Sequence, residues 1–154
     1  KHGGSIDKFL GDGILASFGA LRACDTCCSD ALRAMDEILA DYRTWAEDPV
    51  LQQVSDNALG LALSYGEVVF GPIGDGNRLE FTVIGSTVNL SAKLEKHNKA
   101  IGSRAIISKP AYDAGLVQGY QPVTSPVEQT VHVEGLSGAL DVLVHFPGPG
   151  ERQT

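Results

Sequence analysis

Residues 79–95 read LEFTVIGSTVNLSAKLE, and the change of pattern inside this stretch decides the fold. Its first half, residues 79–84, is short, apolar and rich in β-branched and aromatic side chains, which predicts a β-strand. Gly85 ends that pattern. The residues after it favour a helix, with Ser86 or Thr87 as the expected N-cap. A strand, a glycine and a helix thus follow one another without a linker.

The helix predicted after Gly85 carries two polar residues of chemical interest. Asn89 and Lys93 are four positions apart, so both project from one face of a helix that should run to about Lys99. An amide and a cation near a helix start suit an anionic ligand. By themselves they are more typical of a solvated helix face, since charges on a helix usually just face solvent.

A second glycine-flanked segment lies near the start, where residues 5–19 read SIDKFLGDGILASFG. Two short apolar runs flank the Gly-Asp-Gly around Asp12, which predicts a hairpin of residues 5–10 and 14–18. A carboxylate at such a tip can leave the sheet and bind a hard cation, although an Asp there is more often only a turn former. Lys8 lies four residues earlier on the adjoining strand and can contact another part of the same ligand.

The rest of the chain alternates irregularly between helical and extended patterns. We predict a helix over residues 21–45, ended by Glu47-Asp48-Pro49, then a second hairpin of residues 59–64 and 67–73. Further expected elements are a loop at 75–77, a strand at 105–107, a short helix from Ser108 to Gly115, strands near 117–123, 128–133 and 140–146, and a loose polar tail at 147–154. This order indicates an α+β domain with a mostly antiparallel sheet, without giving the strand order.

The composition is that of one soluble globular domain, with 154 residues, 43% hydrophobic and 20% charged. No apolar run approaches the ~18–20 residues that a membrane span needs. The net charge is −7 and the cations are scattered, which argues against a nucleic-acid partner. A nucleoside triphosphate could still bind where a metal ion and a few local cations overcome this field.

The three cysteines are Cys24, Cys27 and Cys28, and the first two form a C-x-x-C pair. A zinc site needs about four ligands, and no second Cys or His pair lies at a plausible spacing. A stripe at steps of three and four instead predicts one buried helix face, made of Cys24, Cys28, Ala31, Met35, Ile38, Tyr42 and Trp45. We therefore expect reduced core cysteines and a cytoplasmic protein.

Four motifs occur in a fixed order between about Gly4 and Phe146. They are KFLGD at residues 8–12, EVVFGPIG at 67–74, FTVIGSTVNL at 81–90 and VEGLS at 133–137. In order and spacing they resemble the K-F-x-G-D, G-E-V-x-x-G-x-I-G, Y-T-V-I-G-x-T-V-N-L and V-K-G-L-S motifs of the class III adenylate/guanylate cyclases. The resemblance implies the ferredoxin-like cyclase fold over residues 1–146.

The same resemblance implies a role for each of five residues. Asp12 matches the second of two metal-binding aspartates. Lys8 matches the residue that reads the purine base, and Thr82 stands at the position of its partner. Asn89 matches the residue that orients the ribose, and Lys93 stands where the family has an arginine that stabilises the pentavalent phosphorus.

The implied reaction is that of an adenylate cyclase, which converts ATP to 3′,5′-cyclic AMP and pyrophosphate with two Mg²⁺ or Mn²⁺ ions. Lys8 and Thr82 point to adenine, because a lysine can donate to N1 of adenine whereas guanine presents a donor there. The family's site also implies a head-to-tail homodimer in which one chain gives the aspartates and the other gives the base-reading and helix residues.

The chain departs from the family pattern at three places. No F-x-D motif for the first aspartate occurs, so we expect the first strand and helices, and a regulatory domain, to lie upstream, and residues 1–154 alone to be inactive. Missing segments could also tether the protein to a membrane. Lys93 replaces the arginine and Glu134 replaces a lysine near the triphosphate. These changes leave open a degenerate cyclase-fold module that dimerises or senses nucleotide with little or no turnover.

Overall fold

The computed structural model describes residues 1–48, 59–75 and 78–148. In chain order these form β1 (Ser5–Leu10), β2 (Gly13–Ser17), α1 (Cys27–Glu47), β3 (Leu61–Leu63), β4 (Val69–Asp75), β5 (Arg78–Ile84), α2 (Ser86–Ala100), β6 (Ala105–Ser108), α3 (Lys109–Val117), β7 (Val127–His132) and β8 (Ala139–His145). The α+β class is thereby confirmed. None of the helices within those ranges combines the length and the hydropathy of a membrane span.

The strands form two hairpins and one larger sheet. β1 pairs with β2, and β4 pairs with β5, both antiparallel. The larger sheet has the order β3-β6-β8-β7, in which only the β3–β6 pair is parallel. β1 also lies against β5, so the two hairpins are neighbours. The predicted, mostly antiparallel sheet is confirmed, and the structure adds the strand order.

Helices cover both faces of the four-stranded sheet. Successive side chains of a strand point to opposite faces, so β6 contributes to two separate cores. One core lies under α1 and α3 and contains Leu32, Met35, Leu39, Ala105, Ile107, Ala111, Tyr120 and Leu143. The other lies under α2 and contains Leu94, Ile106, Val133, Val142 and Val144. Burial on both faces explains why β6 is a continuous apolar run rather than an alternating one.

The predicted hairpin of residues 59–64 and 67–73 is wrong. β3 pairs in parallel with β6, and β4 turns to β5 instead. The reason lies at Ser64, whose hydroxyl donates to the carbonyl of Thr87 at 2.8 Å and lies 2.7 Å from the hydroxyl of Ser91. These bonds hold the segment after β3 against α2, so this segment does not form a hairpin with β3.

The first helix begins later than predicted, at Cys27. Cys24 therefore lies outside it and is exposed, and Ile38 and Trp45 of the expected stripe are also exposed. The buried face consists of Cys28, Ala31, Leu32, Met35 and Leu39. All three cysteines are free, but only Cys28 is a core residue, where burial first and the neighbouring Cys27 second raise the pKa of its thiol to about 12.

The third helix and its surroundings correct two more expectations. α3 continues past Gly115 to Val117, because Gly115 is a buried packing position against Leu32 of α1 and not a helix end. No strand forms at residues 117–123, where α3 ends and an irregular segment leads to β7. The strands expected near 105–107, 128–133 and 140–146 are confirmed as β6, β7 and β8. Pro49, Gly76 and Asn77, and residues 149–154 of the expected tail, lie outside the described residues.

We predict that His145 makes the folded state sensitive to mild acid. Burial lowers the pKa of this imidazole, with Arg43 adding to the effect and Asp36 opposing it. Below the ordinary pKa of about 6.5 the unfolded chain then binds the proton first, so stability present above that pH is lost as pH falls, by at most about 1.4 kcal/mol per pH unit. Urea unfolding between pH 8 and pH 5 measures this loss, which His145→Gln should reduce.

The matched control for this experiment is His132→Gln, because His132 is an exposed histidine on the neighbouring strand. The control should keep the acid sensitivity of the parent protein. Equal slopes of stability against pH in the parent and in His145→Gln would contradict the assignment.

Candidate active site

The β1–β2 hairpin carries an aspartate and a lysine that are close in the sequence but differ in solvent exposure. Asp12 is exposed at the tip, where Gly11 adopts a φ of +67° and lets the strands reverse. Lys8 lies on β1 opposite Leu15 and is half-buried. The carboxylate can therefore reach a ligand beyond the sheet, while the ammonium faces a more sheltered position.

Thr82 lies in the neighbouring hairpin and is buried, with only 4% of its surface exposed. It stands on β5 opposite Gly71 of β4. Its hydroxyl oxygen is enclosed and has no hydrogen-bond partner among the described residues. Because β5 lies against β1, the two strands that carry Thr82 and Lys8 are adjacent.

The start of α2 is fixed by backbone geometry, not by a side-chain cap. Gly85 is the N-cap with a φ of +150°, and a Cβ there would lie 3.2 Å from the carbonyl oxygen of Glu67. The predicted cap at Ser86 or Thr87 is therefore wrong. The Thr87 hydroxyl instead donates to that same Glu67 carbonyl at 3.0 Å, which ties the helix start to the segment before β4.

The two helix residues singled out in the sequence have different environments. Asn89 is exposed in the first turns of α2, whereas Lys93, one turn later, is half-buried. The ammonium of Lys93 donates to the carbonyl of Gly135 in the turn between β7 and β8. In that same turn Glu134 accepts from Lys96 at 2.7 Å. Sequence reasoning missed Lys96, although it continues the spacing of Asn89 and Lys93 on the helix.

The two hairpins also expose large apolar side chains. Phe9 is 71% exposed and Phe81 is 64% exposed, and Ile6, Leu10, Ile14, Val69 and Ile84 are exposed as well. A cluster of exposed apolar side chains often marks a surface that binds a partner. The surface belongs to the same elements that carry Lys8, Asp12 and Thr82.

Solved nucleotidyl cyclases share this architecture over almost the whole chain. The guanylyl cyclase Cya2 matches 99% of this chain and 75% of its own, with a TM-score of 0.71 and 25% identity. The adenylyl cyclase CyaB from P. aeruginosa matches 99% and 76%, with a TM-score of 0.65 and 21% identity. A bacterial light-regulated adenylyl cyclase matches 92% and 38%, with a TM-score of 0.69 and 21% identity.

The chain has the fold of the class III nucleotidyl cyclase domains. The resemblance seen in the sequence motifs is thus confirmed. Because the solved structures include both guanylyl and adenylyl cyclases, the fold leaves the nucleotide undecided.

Relatives of similar sequence come from mycobacteria. The uncharacterized protein Rv1319c of Mycobacterium tuberculosis is 33% identical over 114 residues, which are 74% of this chain. The uncharacterized protein Mb1354c of Mycobacterium bovis is 37% identical over 107 residues, or 70% of this chain. The matched region spans about a fifth of the length of these relatives, 20% and 18%. No protein-family model matches this chain.

Asp12 is the one residue for which the sequence predicted a metal-binding role. Asp12 is an exposed carboxylate at the hairpin tip, as a ligand to a hard cation requires. No group of three or more His, Cys, Asp and Glu side chains that could hold an ion occurs within residues 1–48, 59–75 and 78–148. The described residues therefore fit one ligand of an ion and not a complete ion site.

Asp7 is a site candidate that sequence reasoning missed. The pairing of β1 with β2 shifts register between Ile6 and Lys8, and Asp7 lies at this irregularity. One of its carboxylate oxygens is enclosed without a hydrogen-bond partner in the described part of the chain. A buried carboxylate oxygen is costly unless a donor reaches it. The alternating pattern of the sequence contains no signal for this bulge.

We predict that Gly66 is required for the position of α2. A Cβ at this residue would lie 2.5 Å from the hydroxyl oxygen of Thr87. Gly66→Ala should therefore lower the free energy of unfolding by about 1–3 kcal/mol through overpacking. Adding Thr87→Ala removes the obstructing hydroxyl, so the double variant should lose less than the sum of the two single losses in urea unfolding.

Gly71→Ala is the control for backbone stiffening, because a Cβ there meets nothing within 4 Å. It should change the unfolding midpoint little. Strictly additive losses in Gly66→Ala and Thr87→Ala would contradict a steric conflict between the two residues.

Proposed function

We propose that this chain is the catalytic domain of an adenylate cyclase that converts ATP to 3′,5′-cyclic AMP and pyrophosphate. The observation that carries the proposal is the placement of Lys8 and Thr82 on the adjacent strands β1 and β5. Thr82 holds an enclosed hydroxyl without a partner among the described residues, which is a group that a bound base could satisfy.

Adenine and guanine differ at the positions that such a pair would contact. Adenine has an acceptor at N1 and an amino donor at C6, so an ammonium can donate to the first and a hydroxyl can accept from the second. Guanine has an N1–H donor, which requires an acceptor such as a carboxylate. Lys8 therefore favours adenine, and Thr82 is compatible with it.

Two residues of α2 would act on the ribose and the phosphates. Asn89 is exposed and can orient the ribose through its amide, in the role that the family resemblance implies. Lys93 can neutralise charge that develops on the α-phosphate once its ammonium leaves the carbonyl of Gly135. A lysine is a point charge that cannot make the forked contact of an arginine. Loss of one preorganised donor typically costs about 10²–10³ in rate, so we expect slow turnover.

The reaction forms a bond from the ribose 3′-oxygen to the α-phosphorus and breaks the bond to pyrophosphate. Two Mg²⁺ or Mn²⁺ ions, when bound, would activate the 3′-hydroxyl and hold the phosphates. Asp12 would contribute one carboxylate toward these ions, since it is exposed at the tip of its hairpin.

A head-to-tail homodimer is part of the proposal. One chain would supply Asp12, and its partner would supply Lys8, Thr82 and Asn89. The exposed Phe9 and Phe81 support this assembly, because they lie on the two hairpins that carry the site and would be covered in it. The greater length of the mycobacterial relatives is consistent with an added regulatory domain.

We predict that the full-length protein makes cyclic AMP from ATP in preference to cyclic GMP from GTP. Its rate with ATP should be at least tenfold higher, the effect of about 1.4 kcal/mol in the transition state. Chromatographic assay of both products with Mn²⁺ measures the ratio. Equal or greater cyclic GMP formation would overturn the roles of Lys8 and Thr82. Binding of ATP without any product would favour the nucleotide-sensing module.

We predict that two inactive variants restore each other's activity. In a mixed dimer of a Lys8→Ala chain and an Asp12→Ala chain, one site keeps both native residues and the other loses both. Random pairing of equal amounts makes half of the dimers mixed, so about a quarter of the native activity should return. Full-length chains should be unfolded, mixed and refolded, with each variant alone as the control. No recovery from folded, dimeric mixtures would argue against a shared site.

A further inference from the structure

Three polar residues follow one another on a single face of α2. Asn89, Lys93 and Lys96 are spaced by four and then three positions, which places them in one row along the helix. Lys96 is 73% exposed in its side chain, so its ammonium is open to solvent and to ligands. The row extends the candidate site by one cation beyond Lys93.

The turn between β7 and β8 contacts both cations of this row. Its Gly135 accepts from Lys93, and its Glu134 accepts from Lys96 at 2.7 Å. The turn is anchored beside the helix, because Val133 is buried and Leu136 packs against the core cluster that contains Leu94. Two successive residues of one anchored turn thus engage two successive cations of one helix face.

The carboxylate of Glu134 would repel a polyanion that approaches Lys96. Glu134 is 82% exposed in its side chain, and its hydrogen bond to Lys96 lowers the pKa of its carboxyl, so it is ionised at neutral pH. The whole chain has a net charge of −7, and ATP brings several more negative charges. Binding ATP therefore needs local cations, and Lys96, the next cation after Lys93 in this row, is paired with a carboxylate.

We propose that Lys96 is a further phosphate-binding residue for ATP, and that Glu134 occupies its ammonium until the triphosphate displaces it. The proposal rests on the proposed function of this domain. Exchange is feasible because an ion pair between two exposed side chains is weak, whereas three phosphates offer the ammonium a higher local charge. After displacement the Glu134 carboxylate stays hydrated, so the exchange has no desolvation cost at that group.

The test is equilibrium binding of two probes to the full-length protein at low salt. One probe is 3′-deoxy-ATP, which lacks the attacking hydroxyl, and the other is inorganic tripolyphosphate, which lacks the base. Glu134→Gln should tighten the binding of both by about two- to fivefold, and Lys96→Gln should weaken both by a similar factor. The double variant should behave like Lys96→Gln, since Glu134 acts only through that lysine.

Two further variants separate charge from structure. Lys96→Arg keeps the positive charge and should keep the affinity of the parent. Glu128→Gln removes an exposed carboxylate that lies 3.4 Å from Lys109, away from α2, and should leave both affinities unchanged. The differences among the Lys96 and Glu134 variants should shrink in 0.5 M salt, because screening at exposed sites strengthens with ionic strength.

Unchanged affinities in Lys96→Gln, in a protein that makes cyclic AMP, would overturn the inference and leave the proposed function intact. Equal effects of Glu134→Gln in the presence and absence of Lys96 would overturn it as well. The expected shifts in a protein that forms no cyclic nucleotide would support Lys96 as a phosphate ligand while refuting the cyclase activity.

Discussion

Strands β6 and β8 are buried on both faces, and the positions of α1, α2 and α3 depend on this double burial. Ile107 and Leu143 point toward α1 and α3, while Ile106 and Val144 point toward α2. At roughly 25 cal/mol per Å² of apolar surface, filling both faces is the main stabilising contribution available to a domain of this size. α2 is held against the sheet through Leu94, and its face with Asn89 and Lys96 is thereby exposed.

The candidate site contains three lysines in a chain with a net charge of −7. Lys8 lies on a hairpin, whereas Lys93 and Lys96 lie on a helix that is bound to the sheet. In the free domain the two helix lysines are satisfied by the β7–β8 turn, one by a carbonyl and one by a carboxylate. Both bonds have an ammonium donor, and the pair of Lys96 with Glu134 is exposed on both sides, so solvent screens it strongly.

Local sequence patterns predicted those elements whose boundaries are set by glycine and by apolar runs. The hairpin around Asp12, the strand before Gly85 and the helix after it are all found where the pattern placed them. Motif order was sufficient to predict the fold family, because four long motifs in one order constrain far more than composition does. The roles of Lys8, Asp12, Thr82, Asn89 and Lys93 remain predictions.

Features that depend on contacts between distant segments were not predictable in this way. β3 pairs with β6, and Ser64 after it bonds to α2, contacts that no pattern in residues 59–73 encodes. The bulge at Asp7 and the enclosure of Thr82 arise from neighbouring strands. The contact of Lys93 with Gly135 joins residues that lie far apart in the sequence.

The parallel pairing of β3 with β6 has a consequence for the order in which the domain can fold. Leu61 pairs with Ala105 only when the intervening chain, which includes β4, β5 and α2, has closed into a loop. Closing this loop costs chain entropy before β3 and β6 can form their contacts. The two hairpins close locally and carry Lys8, Asp12 and Thr82. Each hairpin can therefore close early, whereas Lys8 and Thr82 come together only when β1 packs against β5, two strands that lie even farther apart in the sequence than β3 and β6.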